Sequence, residues 1–252
     1  MEFLVPGTPE QVWHAIATGP GMSSWFAGTT VEERVGGAIH FDFGGGVTSS
    51  GKVTEWQPPH RLVYEESGWS GEAPPLATEM VVTARSGGKC VVRMVHSLFT
   101  TDDQWDDQVE GFEAGWPAFV EVLRIYLGHF ARSKAAAVRV SGPYPGSEAE
   151  AWKVLTNTLG LSGANVEERR VAQDGAPMFA GTIDRVHQDH NCRDVMIRLD
   201  QPGPGVALVG TYRWGDQTRA AVSLFFYGDA ASGVAAQAEP QWTKWIETHF
   251  PG

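Results

Sequence analysis

The chain has 252 residues, 42% of them apolar and 19% charged, with a formal net charge of −11. This is the composition of an ordinary globular protein, and the length is ample for two domains of usual size. So acidic a balance is a poor start for gripping phosphate backbones or anionic lipid, which argues against nucleic acid and membrane surfaces as partners.

The first element is announced by "TPEQVWHAIAT", residues 8–18. Thr8 is followed three places on by Gln11, the pattern of a capping box that satisfies two N–H groups of a helix's first turn. Pro9 suits the first helical position, where its missing donor costs nothing. Upstream there is no basic segment leading into an apolar stretch, and no apolar run in the chain approaches a bilayer span, so a cytoplasmic protein is expected.

Strands are expected next. "AIHFDF", "GKVTEW", "RLVYEE", "TEMVVTA" and "KCVVRMVHSLF", between residues 38 and 99, alternate or run β-branched between turns such as "QPPH" and "SGGK". Consecutive hairpins of this kind form an antiparallel sheet. The glycines of "FGGGVTSSG", 43–51, lack a following Lys-Ser/Thr and a helix, so they read as a strand connection and not as a phosphate loop. From Trp105 to Phe130 apolar residues recur at helical spacing, which predicts one long helix that Pro117 is expected to kink.

An Ala-rich, basic stretch at 131–138 marks a seam, and beyond it the landmarks return in order. "SEAEAWKVLTN", 147–157, pairs Ser147 with Glu150 as a second capping box, and Trp152 answers Trp13. "VEERV" at 31–35 returns as "VEERRV" at 166–171, and "GKVTEW" at 51–56 as "GTIDRV" at 181–186. Both halves close on an apolar helical pattern. The reading is one domain twice: 1–132 with the larger cavity, and 137–252 as a shorter, degenerate copy that packs against the first or closes its pocket.

"HQDHNC", 187–192, offers His187, His190 and Cys192, but its counterpart in the first half is the "QPPH" turn, and the spacing is that of no familiar zinc site. It is taken as an exposed hairpin loop. Cys90 and Cys192 fall one in each half without a CxxC, which predicts two reduced buried thiols. No metal and no cofactor are expected.

"TPEQVWHAIATGPGMSSWF", "VGGAIHFDF", "GKVTEWQPPHRLVYEE" and "GFEAGWPAFVEVLRIYL" resemble the START-like, or SRPBCC, superfamily in its branch named after the activator of the Hsp90 ATPase. The likeness covers residues 3–130 and is weaker over 139–252. It implies an α+β helix-grip fold in each half: a curved antiparallel sheet wrapped around a long C-terminal helix, with a small helix pair and a hydrophobic cavity. Family functions include lipid or polyketide binding, ring cyclisation and antibiotic self-resistance. In enediyne producers, members of this branch take up the drug and are cleaved in place of DNA, often at a glycine. Gly111 and Gly115, beside Phe112 and Trp116, and Gly44 to Gly46 at a strand end stand where such a role could fall, although turn and packing roles are the favoured reading for them.

Alternation says what faces the first cavity: Leu62, Tyr64 and Glu66 on one strand, Met80, Val82 and Ala84 on the next, and Cys90, Val92, Met94, His96 and Leu98 on the third. Phe41 and Phe43 add rings from a fourth strand. Trp25, Phe26, Trp56 and Trp69 are placed at the mouth, and Phe112, Trp116 and Phe119 on the helix. These rings, with Tyr64, Met80, Met94 and His96, suit a hydrophobic, aromatic or polyketide-type small molecule gripped by ring faces and a few polar handles.

Glu66, His96 and Tyr64 are the only acid/base candidates, against the favoured reading of Glu66 as an exposed strand end and His96 as a satisfied core histidine. Three functions follow: a binder, as in biosynthesis or self-resistance; a polyketide cyclase or aromatase in the same cavity; and a chaperone-interaction module. A cavity rich in rings and poor in paired titratable groups favours the binder over an enzyme. Nothing resembles the separate chaperone-binding domain of true Hsp90 activators, which lowers the third reading. Oligomeric state is left open.

Overall fold

The computed structural model describes residues 1–44, 46–67, 73–98, 100, 105, 115–189, 192–214 and 216–251, apart from the side chain of Trp214. The chain forms two compact units, Met1–Arg132 and Ser133–Gly252. Each is a curved antiparallel sheet with few helices, so the class is α+β. No helix among the described residues is long and apolar enough to cross a membrane.

The first unit runs β1 (Glu2–Pro6), α1 (Pro9–Ala17), α2 (Gly19–Ser23), β2 (Gly28–Val31), β3 (Ala38–Gly44), β4 (Val47–Gln57), β5 (Arg61–Ser67), β6 (Leu76–Arg85), β7 (Lys89–Leu98) and α3 (Trp116–Ile125). Its sheet order is β1-β7-β6-β5-β4-β3-β2, a meander whose last strand is joined by the first. Helix α1 begins as its sequence dictates: Gln11 N donates to Thr8 Oγ1 at 3.4 Å, and Thr8 N donates to Gln11 Oε1 at 2.9 Å.

Helix α3 as described starts at Trp116 with Pro117 in its first turn, a position where its missing N–H is harmless. The helix ends in a π-helical turn, Tyr126–Phe130. The expected stretch at 106–114, which includes Gly111 and Phe112, lies outside the described residues.

Along β5, β6 and β7 the alternation holds. Leu62, Tyr64, Glu66, Leu76, Thr78, Met80, Val82, Cys90, Val92 and Met94 are all buried. Ala84 is exposed, contrary to expectation. Its ladder partner Cys90 is buried, and Cys90 Sγ donates to Gly7 O at 3.4 Å. Cys90 and Cys192 are both free, but Cys192 is only half-buried.

The second unit runs β8 (Ala135–Tyr144), α4 (Glu148–Leu159), β9 (Arg169–Val171), β10 (Ala180–Gln188), β11 (Cys192–Gln201), β12 (Gly205–Trp214), β13 (Gln217–Tyr227) and α5 (Ala231–His249). Its order, β8-β13-β12-β11-β10-β9, repeats the first plan with one strand fewer. Ser147 and Glu150 form the second capping box, and Gly160 ends α4 in the left-handed conformation that suits glycine. The interior is continuous and apolar, with Phe179, Trp242, Trp245, Ile246 and Phe250 packed against the strands.

Backbone bonds fix how the two plans correspond. Gly36 N donates to Val53 O at 2.8 Å and Val53 N to Gly37 O at 2.9 Å; in the second unit Glu167 N donates to Ile183 O at 2.8 Å and Ile183 N to Glu168 O at 2.9 Å. The strand carrying each pair then bulges, between Val53 and Glu55 and between Ile183 and Arg185. Val53 and Ile183 are thus counterparts, in keeping with the match of "GKVTEW" to "GTIDRV". The match of "VEERV" to "VEERRV" is corrected, because Glu167 and Glu168 stand where Gly36 and Gly37 do and not where Glu32 and Glu33 do. Glu167 even keeps the glycine-like backbone, φ 70° against 77° at Gly36.

Candidate functional site

Tyr64 faces Thr78 across the β5–β6 ladder, and Thr78 faces His96 across the β6–β7 ladder. Three polar side chains therefore lie in one row across three strands. Met80 and Met94 form the neighbouring row with Leu62, and Leu76 and Leu98 flank the other side with Glu66. Tyr64 is 1% exposed, Thr78 0% and Glu66 3%.

Burial disfavours ionisation of Glu66 and Tyr64. It pushes the Glu66 carboxyl above its ordinary value, although the Ser49 hydroxyl, donating to Glu66 Oε1 at 2.5 Å, pulls the other way. Burial, followed by the neighbouring Glu66, pushes the Tyr64 phenol far above its ordinary value, so it remains an O–H donor at any working pH. Thr78 Oγ1 lies near enough to the phenol to oppose that rise, but the two do not meet with hydrogen-bond geometry, and among the described residues this buried hydroxyl has no hydrogen-bond partner. An interior polar group left this way costs free energy that a ligand oxygen could recover.

Aromatic rings gather at one end of the row, around Phe26. Phe26 stacks on Trp116 with centroids 4.6 Å apart and planes inclined by 20°. It also meets Phe43 at 5.5 Å, Phe41 at 5.9 Å and Phe119 at 5.2 Å, each edge to face. Trp25 is 6.2 Å from Trp116, and its indole N–H donates to Ala15 O at 2.8 Å, which ties the group to α1. Phe41 reaches Tyr64 at 5.6 Å, and Trp116 stacks on His96 at 5.6 Å, so the rings touch the polar row at two points.

Of the residues singled out from the sequence, the structure brings together Trp25, Phe26, Phe41, Phe43, Tyr64, His96, Trp116 and Phe119, with Met80 and Met94 on the adjoining row. Trp56 packs edge to face on Trp13 at 5.0 Å, fastening β4 to α1. Trp69 and Phe112 lie outside the described residues. Glu66 is deeply buried and bonded to Ser49, so its reading as an exposed strand end is corrected. Thr78 and Ser49 were missed. Alternation from Met80 would have reached Thr78, whereas no local signal marks Ser49 as an inside residue. Gly44 and Gly46 have φ of 85° and 81°, the turn role expected of them, and Gly115 precedes α3 as its cap residue; Gly45 is outside the described residues.

Counting from Val53 and Ile183 along the ladders, Tyr64 corresponds to Ile197, Thr78 to Ala207 and His96 to Leu224. Glu66 corresponds to Leu199. All four second-unit residues are buried and apolar. Polar groups buried in the second unit serve its frame instead: Glu148 at the start of α4 is paired with Arg193 of β11 and accepts from Thr211 of β12, and Arg185 clasps Asp194 at 2.9 and 3.2 Å. At the β10–β11 turn the side chains of His187, Asp189 and Cys192 converge; His190 is outside the described residues. Burial and the neighbouring carboxylates push the Cys192 thiol up to about 11.

Residues 6–128, nearly all of the first unit, match the family described as activator of Hsp90 ATPase homolog 1-like protein. No curated protein matches the chain. Among solved structures, DynU16, described as a protein in the dynemicin biosynthetic locus, is 18% identical with a TM-score of 0.45, over 99% of this chain and 96% of that one. CalU16 from Micromonospora echinospora is 20% identical, TM-score 0.41, over 51% of this chain and 74% of its own. The Aha1 dimer from Colwellia psychrerythraea gives 20%, 0.41, 50% and 92%.

Proposed function

We propose that the first unit, which matches that family, binds a hydrophobic, oxygen-bearing aromatic or polyketide-type small molecule between the Phe26 ring group and the polar row of Tyr64, Thr78 and His96. The observation that carries this reading is the contrast within the chain. At the same register positions the second unit has Ile197, Ala207 and Leu224, which is what such a face needs when it serves packing alone. Polar groups on an interior face cost stability unless satisfied, and the Thr78 hydroxyl is the group in this row for which a ligand oxygen would be a partner.

The ligand's chemistry follows from the groups that would meet it. A flat ring system takes over ring faces that now meet each other, of which the Phe26–Trp116 stack offers the largest area. Its carbonyl or phenolic oxygens accept from Tyr64 and Thr78. Holding, rather than transforming, is the role in keeping with a phenol and a carboxyl whose ionisation burial disfavours.

Titrating the full chain with a hydroxylated anthraquinone tests the reading. Native mass spectrometry should show one ligand per chain, tryptophan fluorescence should be quenched saturably, and Trp116→Ala should weaken binding by about 1–3 kcal/mol. Binding that Trp116→Ala leaves unchanged, or turnover of the bound ligand, would contradict it.

A further inference from the structure

We propose that the β10–β11 hairpin of the second unit carries a site for a zinc-type divalent cation, held by His187, Asp189 and Cys192. The sequence spacing does not suggest it, since Asp189 becomes a participant only when the hairpin closes. An imidazole nitrogen, a carboxylate oxygen and a thiol sulfur, one from each residue, all lie within 4.8 Å of one another. His187 Nε2 and Asp189 Oδ2 are already 2.9 Å apart.

The backbone beneath these donors is fixed. His187 and Gln188 pair with Asp194 and Arg193 across the ladder. Asp189 N donates to Cys192 O at 3.1 Å, and Cys192 N donates to Asp189 Oδ1 at 2.8 Å. Bonds of zinc to nitrogen, oxygen and sulfur of about 2.0–2.3 Å place tetrahedral ligands roughly 3.3–3.8 Å apart. Closing from the present separations needs side-chain rotation of about an ångström, within reach of half-exposed residues choosing among rotamers. A nitrogen, oxygen and sulfur set suits Zn²⁺ or Co²⁺ and not Ca²⁺ or Mg²⁺, which take oxygen ligands. Three protein ligands leave the fourth position to water. This site is independent of the small-molecule reading of the first unit.

Cobalt is the probe. Tag-free full-length protein titrated with Co²⁺ should bind one equivalent, with the near-ultraviolet thiolate-to-cobalt absorption and the visible bands of a tetrahedral ion, and Zn²⁺ should displace it. Cys192→Ser should abolish the thiolate band while its circular dichroism matches the parent's. His187→Ala and Asp189→Asn should each raise Kd tenfold or more, and Cys90→Ser should change nothing. Cobalt bound without a thiolate band, a band that survives Cys192→Ser or vanishes with Cys90→Ser, or an affinity that neither His187→Ala nor Asp189→Asn lowers would overturn the proposal.

Discussion

Glu66 of β5 and Leu199 of β11 hold the same register position in their two sheets, each two residues beyond the side chain that faces the bulged strand, Tyr64 opposite Val53 and Ile197 opposite Ile183. Both are buried, at 3% and 4% exposure. Leucine fits such a place by transfer from water alone, while a carboxyl brings a desolvation cost that grows once it ionises. The two units thus share a frame and differ in what they put on its inner face.

A pH dependence follows. Burial raises the folded-state value of Glu66 above its ordinary 4.5, so its contribution to stability is intact below 4.5 and is lost as pH rises through the folded value. Glu66→Gln keeps an acceptor for Ser49 and cannot ionise. Relative to the parent, its stability in urea titrations should improve progressively above pH 4.5 and then level off. Parallel curves for parent and variant across that range would refute a carboxyl held protonated by burial.

Phe26 is the centre of the ring group, touching five other rings. Phe26→Ala removes all of those contacts and leaves a space that stacked neighbours refill only in part. The expected loss is about 3–5 kcal/mol of stability by denaturant titration. A loss below about 1 kcal/mol would mean that the rings can collapse onto one another without it.

Glu167 keeps a left-handed backbone, φ 70°, at the place where the first unit has Gly36. That conformation costs a residue with a side chain roughly 1–2 kcal/mol, partly offset by the entropy a glycine loses on folding. Glu167→Gly should therefore raise stability by up to about 1 kcal/mol, although it removes a side chain. A clear destabilisation would show that the Glu167 side chain contributes more than its backbone conformation costs.

Arg193 is the ion-pair partner of the buried Glu148, at the start of α4. Arg193→Ala leaves that carboxylate without its counter-charge in a dry place, and the expected cost is about 3–5 kcal/mol. Arg193→Ala combined with Glu148→Gln should recover much of it. Equal losses in the single and double variants would show that the pair does not act as a unit.

What the sequence reveals of all this depends on how local the cause is. Both capping boxes could be read because a cap is settled within four residues, and the inner faces of β5 to β7 because alternation fixes them. The "VEERV" match misled because similar letters lie on opposite sides of a turn, and only the bonds to Val53 and Ile183 show the offset. Ser49 is hidden for another reason. A hydroxyl residue suits either face of a strand, so its burial is decided by the strands that pair beside it. The second unit's cluster at Asp189 exists only once a hairpin brings the turn and the strand ends together.

On the proposed reading, the row of Tyr64, Thr78 and His96 turns a packing face into a binding face. The most direct test rewrites that row as the second unit has it, in one variant carrying Tyr64→Ile, Thr78→Ala and His96→Leu, and titrates it against the same hydroxylated anthraquinone by tryptophan quenching. With circular dichroism confirming the parent's fold, at least a tenfold rise in Kd is predicted. A folded triple variant that binds as tightly as the parent would contradict the account.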